Sequence, residues 1–308
     1  MSDQLQREQL RSVQLIQITA FDSAGELSLA PMRQLSEQLV TAGIRVFIPC
    51  AASSEFHSLV ADEIVATIGA VRETVGPEPA VLAPVGLQPK YAIEVGKRAV
   101  DAGADGILIM PLGFPYISDE GIKDYYLEIM EAVQCPTLIY KKDPLPSDDL
   151  ILELADHPQL IGIKYAVNDM NVFNTVIQKG SDRIDFYCGS AERFSPFYAL
   201  AGSPGYTSGL GNICPRLTLA MHSAMANNDW EEAMRLQRII LPIEHYRARV
   251  SNSYNVSFLK YAMHHVGLDF GQPRAPFRKL TSAEENEIDQ VMQPIMAAET
   301  ELKEVATV

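Results

Sequence analysis

The chain has 308 residues, of which 47% are hydrophobic and 21% charged, and a net charge of −14. That is enough apolar material for a substantial core. The negative charge disfavours phosphate backbones and anionic membrane surfaces as partners. The N-terminal stretch Met1 to Arg11 is polar, and no apolar run is long enough for a membrane span, so a cytoplasmic location is expected.

The predicted elements alternate along the chain. Candidate strands are Val13–Thr19, Val46–Pro49, Ala80–Pro84, Gly106–Met110, Thr137–Tyr140, Leu160–Lys164, Ile184–Cys188 and Gly205–Ser208. Helical patterns lie between them, as in Ala30–Ala42, Ala61–Val75, Tyr91–Ala102 and Gly121–Val133. Most strands lack polar alternation, as expected for a parallel sheet buried on both faces. Eight βα units in series predict a closed (β/α)8 TIM barrel. The turns Ala42-Gly43-Ile44 and Ala102-Gly103-Ala104 read as helix C-caps leading into strands. After the eighth strand only helices are expected: Leu217–Asn227, Asp229–Leu241, Val256–Val266 and Ala283–Ala298. The division expected is a barrel over residues 1–225 and a C-terminal helical extension, packed on it, over residues 226–308.

The cysteines Cys50, Cys135, Cys188 and Cys214 form no CxxC pair and read as buried thiols. The six histidines are scattered, and none pairs with a carboxylate in ligand spacing on adjacent strand ends, so no metal and no cofactor is expected. His264 and His265, in the tail, read as surface or packing residues. A nucleophilic cysteine lacks a histidine on a neighbouring strand end, and Ser208–Gly211 is a poor phosphate-binding turn.

A barrel of this kind does its chemistry at the C-terminal ends of its strands. Lys164 ends the run Leu160-Ile161-Gly162-Ile163, so its ammonium is desolvated and its amine becomes a nucleophile toward carbonyls. The competing reading is a lysine that snorkels to water. Tyr140 ends the preceding strand, where a phenol can exchange protons with an imine-forming lysine or simply cap the core. The turn Ala51-Ala52-Ser53-Ser54-Glu55 can present hydroxyl and backbone N–H groups to a carboxylate, or cap a short helix.

These residues, with Gln17–Leu27, are similar in order and spacing to the dihydrodipicolinate synthase / N-acetylneuraminate lyase family, from about Leu15 to about Ile288. The resemblance implies a class I lyase on a (β/α)8 barrel, a homotetramer as the usual assembly, and a 2-keto acid substrate. It makes Lys164 the imine lysine and Tyr140 the proton shuttle. Ser53, with the N–H of Ser54, would hold the keto-acid carboxylate. Gly189, Glu192, Ser208 and Asn212 would line the distal pocket.

Departures from the synthase pattern are specific. Ala52 replaces the first threonine of the family's G-T-T-G-E turn. Pro111 is followed by Leu112 and Gly113 instead of a tyrosine pair. The synthase arginine after the tyrosine strand has no clear match in Tyr140–Pro146. Ser54–Glu63, the loop Pro111–Gly121, and the tail stretches Leu241–Val250, Ser257–Gly267 and Pro273–Glu285 look closer to the branch containing 5-dehydro-4-deoxyglucarate dehydratase. Lys142 falls where that branch has an arginine; with Lys141 it could also be a solvated turn pair. Dehydration of a sugar-derived keto acid is therefore the expected reaction. A pyruvate-dependent aldolase or condensing enzyme is the alternative, and a keto-acid sensor on a repurposed barrel is the non-enzymatic one.

Overall fold

In the computed structural model, which describes residues 5–305, eight parallel strands close a barrel in chain order. They are β1 (Val13–Leu15), β2 (Val46–Phe47), β3 (Ala80–Val85), β4 (Gly106–Ile109), β5 (Thr137–Lys141), β6 (Leu160–Tyr165), β7 (Asp185–Cys188) and β8 (Tyr206–Ser208). The helices between them are α1 (Leu29–Ala42), α2 (Ala61–Val75), α3 (Pro89–Asp101), α4 (Asp119–Val133), α5 (Asp148–Leu154), α6 (Met170–Gly180) and α7 (Ala191–Leu200). This is the (β/α)8 barrel read from the sequence. Nearly all strand residues are buried, as their apolar runs require.

The first strand is shorter than expected because its ladder ends at Leu15. The chain beyond stays pinned all the same. Ile16 N–H donates to Ser208 O at 2.8 Å and Ile18 N–H to Asn212 Oδ1 at 3.1 Å. Gly43 closes α1 with φ +107° and Gly103 follows α3 with φ +103°, a backbone state that glycine reaches without steric cost. All four cysteines are buried and free.

Helix α8 (Pro215–Ala226) follows β8 and leads into α9 (Trp230–Arg247), the single turn α10 (Arg249–Asn252), α11 (Asn255–Ala262) and α12 (Ser282–Val305). Helix α9 runs past its expected end at Leu241, through Pro242, because Ile243, Glu244, Tyr246 and Arg247 still have a buried face to fill. Glu299 of α12 reaches back to the start of α8, accepting from Arg216 N–H at 3.1 Å and Leu217 N–H at 2.8 Å. A carboxylate there satisfies orphan donors and complements the helix dipole. No helix among the described residues is long and apolar enough to cross a membrane.

On β6, Gly162 and Lys164 point to the same side of the strand. Gly162 makes room for its neighbours: a Cβ there would lie 2.7 Å from Tyr187 Cε2, 2.9 Å from Leu138 Cδ2 and 3.0 Å from Asp185 O. Gly162→Ala is expected to overpack this layer and cost about 1–3 kcal/mol, read as a lowered Tm. An unchanged Tm would show that the layer has slack.

Candidate active site at the barrel mouth

Strand register brings the two central residues together, since Tyr140 of β5 pairs directly with Lys164 of β6. Lys164 is only 3% exposed and Tyr140 8%. The ammonium lies over the face of the phenol ring, 4.0 Å from its centroid. Ring-face contact stabilises a cation modestly, whereas loss of hydration costs much more. Burial therefore dominates and pulls the Lys164 pKa down to about 7; the Cys188 thiol opposes this shift and nearby Lys142 adds to it. Burial, with Asp143 and Cys188 contributing, pushes the Tyr140 phenol up to about 12. Near neutral pH the pair thus offers an amine of which a substantial fraction is unprotonated beside a phenol that keeps its proton, the states needed for attack on a carbonyl and for proton donation.

Gly189 abuts the lysine stem. A Cβ at this position would sit 3.0 Å from Lys164 Cγ and 3.0 Å from Tyr165 O. Its part is steric, leaving the space that the Lys164 side chain occupies. Lys142 is exposed, while Lys141, which the sequence left as half of a solvated pair, is buried. The Lys141 ammonium turns beneath its own loop, donating to Asp143 O at 3.1 Å, Pro144 O at 3.0 Å and Pro146 O. Of the two lysines, Lys142 is the one whose ammonium stays exposed. Burial and the charge of Lys142 lower the pKa of His57, which sits just past the turn Ala51–Glu55.

That turn departs from expectation at Ser54. Its N–H donates to Ala51 O at 2.8 Å, and its hydroxyl donates to Gln17 O. Both donors are spent inside the protein. Ser53 is partly exposed, and among the described residues its hydroxyl meets no protein partner. Of the two serines, Ser53 alone keeps its hydroxyl available. The turn is bracketed by Cys50 at φ +63° and Glu55 at φ +66°, left-handed conformations that non-glycine residues adopt at a cost. Tertiary bonds hold it: Thr19 Oγ1 donates to Ser54 O at 2.8 Å. Glu55 is fully buried, with the Lys260 ammonium 2.8 Å from one carboxylate oxygen and Arg274 N–H donating to the other at 2.8 Å.

Lys260 and Arg274 both belong to the C-terminal tail. They flank the Phe21 ring at 3.8 Å and 4.0 Å. Burial pulls the Lys260 pKa down to about 8, and Glu55 opposes that shift. This clamp was not among the expected site residues. Its signal was present in Lys260, a lone cation in the apolar run Val256–Ala262, like the one that picked out Lys164.

The distal residues behave differently from one another. Asn212 is spent on structure: its amide donates to Ile16 O and Gly209 O, both at 2.8 Å, and its oxygen accepts from Ile18 N–H. Ser208 is fully buried, donating to Glu192 and accepting from Gly211 N–H at 2.8 Å. Glu192 is also fully buried, and its Oε2 has no hydrogen-bond partner. Burial first, then the charge of Glu244, pushes its pKa up. Behind it Arg247 pairs with Glu244 at 2.5 Å and donates to Asn255 Oδ1 at 2.9 and 2.6 Å. Asn212 and Ser208 thus brace the mouth, and Glu192 keeps one oxygen unsatisfied.

Residues 9–295 match the model of the dihydrodipicolinate synthetase family. The chain belongs to that family. It is 30% identical over 285 residues to a Streptomyces avermitilis protein named "probable 5-dehydro-4-deoxyglucarate dehydratase 1", covering 90% of each chain. A Paracidovorax citrulli protein named "probable 5-dehydro-4-deoxyglucarate dehydratase" is 29% identical, with 87% of this chain and 89% of that one covered. Among solved structures, dihydrodipicolinate synthase from Oceanobacillus iheyensis superposes with a TM-score of 0.91 at 34% identity, over 94% of this chain and 98% of that one. Family membership agrees with the barrel, the strand register and the paired lysine and tyrosine.

Lys260→Met is expected to destabilise the protein by about 3–5 kcal/mol, because Glu55 would be left buried without its cation. Adding Glu55→Gln should recover much of the loss. Chemical denaturation of the three proteins checks this. Equal stability of wild type and Lys260→Met would show that the clamp is slack.

Proposed function

We propose that this family member is a lyase that forms a Schiff base between Lys164 and a 2-keto acid, and that its reaction is dehydration of a sugar-derived 4-deoxy-5-keto aldarate. The observation that carries the reading is the dehydrated Lys164 amine in register with Tyr140. The amine attacks the keto carbon and water leaves, giving a protonated imine. The adjacent methylene then loses a proton, and the hydroxyl on the next carbon departs as water. The extended imine accepts the electrons of the bond to the far carboxylate, which leaves as carbon dioxide. The dienamine that results takes up a proton on carbon to become an imine again, its enol end passes to an aldehyde, and hydrolysis of the imine restores the free lysine.

The amine lies over the Tyr140 ring, so its hydroxyl exchanges protons with substrate oxygen in the carbinolamine instead of with the lysine directly. Ser53 holds the carboxylate beside the keto group, and exposed Lys142 attracts the distal one. The relatives carry two names, synthase and dehydratase. Ala52, Leu112, Gly113 and the missing arginine after β5 support the dehydratase reading, since the proton-relay threonine, the tyrosine pair and the second-substrate arginine of the synthase pattern are altered here. A homotetramer and a cytoplasmic location are part of the proposal; exposed Phe114 and Tyr116 on the β4 loop offer apolar surface for assembly.

Borohydride reduction with pyruvate and with the keto aldarate, followed by peptide mass mapping, tests the chemistry. A stable adduct is expected on Lys164. With the aldarate, carbon dioxide should be released and pyruvate should not. Tyr140→Phe should keep the adduct while kcat falls roughly 10²–10⁴-fold, the usual worth of a general acid–base. An adduct on another lysine would overturn the mechanism. Pyruvate release without carbon dioxide would identify an aldolase, and no adduct with any keto acid would favour the sensor.

A further inference from the structure

His264 and His265, expected from sequence to be surface or packing residues, converge with a carboxylate. They lie in the 3-10 turn Met263–Val266 that ends α11, facing Asp289 of α12. Each imidazole Nε2 stands 3.2 Å from the same oxygen, Asp289 Oδ1. All three atoms lie within 4.8 Å of one another.

Hydrogen bonding fixes what these atoms can offer. His264 Nδ1 lies 2.7 Å from the Tyr261 carbonyl. A carbonyl only accepts, so Nδ1 carries the proton and Nε2 of the neutral ring presents a lone pair. That lone pair points at a carboxylate oxygen. His265 Nε2 and Asp289 Oδ1 are shielded from solvent and make no well-formed hydrogen bond. The Tyr261 hydroxyl donates to the other oxygen, Asp289 Oδ2, at 3.1 Å. One tyrosine thus orients two of the three groups from behind, the support that ligands of a bound metal require.

His265 can donate its own Nε2 proton to Asp289, but the neutral His264 ring has none to give at Nε2, and a cation between the three atoms would relieve the contact of its lone pair with the same carboxylate oxygen. Tetrahedral zinc, with bonds of about 2.0–2.1 Å, separates its ligand atoms by roughly 3.3 Å. The two nitrogen–oxygen separations seen here match that spacing. We infer that His264, His265 and Asp289 form a binding site for a divalent transition cation of zinc type, with water completing the coordination. His264 is 46% exposed at its side chain, so the fourth position opens to solvent. The site joins the end of α11 to α12, and Lys260, which clamps Glu55, lies one helical turn before His264. The cation would act on tail stability and take no part in the chemistry at Lys164.

The test uses the full-length chain, free of any histidine tag and stripped with chelator. Zn²⁺ titration by calorimetry should give one equivalent per chain, and Co²⁺ should give the visible absorption of a four-coordinate site. Zn²⁺ should raise the Tm of the wild type but not that of Asp289→Asn. His264→Asn, at the most exposed position, and Asp289→Asn should each weaken binding more than about tenfold, and Tyr261→Phe by about 10–100-fold. Circular dichroism and pyruvate trapping at Lys164 verify that the variants are folded. Absence of stoichiometric binding would overturn the site and leave a hydrogen-bonded cluster only. Binding undiminished in both His264→Asn and Asp289→Asn would overturn it by placing the cation elsewhere.

Discussion

The withdrawal of one ammonium from water, at the end of a strand buried on both faces, is the constraint on which the molecule is organised. Lys164 cannot leave the barrel wall, because β6 is paired along its length on both sides. Its stem runs through the space that Gly189, lacking a side chain, leaves open beside β7. The cost of holding a charge there is relieved by giving up the proton, and the resulting free amine is a carbonyl nucleophile at neutral pH. Tyr140 shares the same apolar setting, yet burial acts on it in the opposite sense and keeps its proton in place. One environment thus assigns complementary states to a base and an acid.

Around that pair the protein spends its polar groups on rigidity. Glu55, Lys260 and Arg274 tie the tail to the strained turn after β2. Asn212 stitches β1 to the β8 loop. Such bracing is what lets Cys50 and Glu55 hold left-handed backbone, leaving Ser53 outward while Ser54 turns in. The helical tail therefore belongs to the construction of the mouth, although it lies far from Lys164 in sequence.

Much of this was legible beforehand because the deciding signals are local. Apolar runs located all eight strands, and a cation or phenol ending such a run located Lys164 and Tyr140. What escaped is what depends on long-range partners. Ser54 and Asn212 are chemically suited to bind substrate, but Gln17 O, Ala51 O, Ile16 O and Gly209 O claim their donors. The Lys141–Lys142 pair looks alike in sequence, whereas loop carbonyls bury one ammonium and leave the other free. The partnership of His264 and His265 with Asp289 spans two helices that no periodicity connects.

The most direct test of the central claim is competitive arylation of the lysines across a pH series, quantified on the peptide that carries Lys164. A reactivity midpoint for Lys164 near pH 7 is expected, well below an ordinary lysine. A midpoint near 10.5, the unperturbed value, would contradict it.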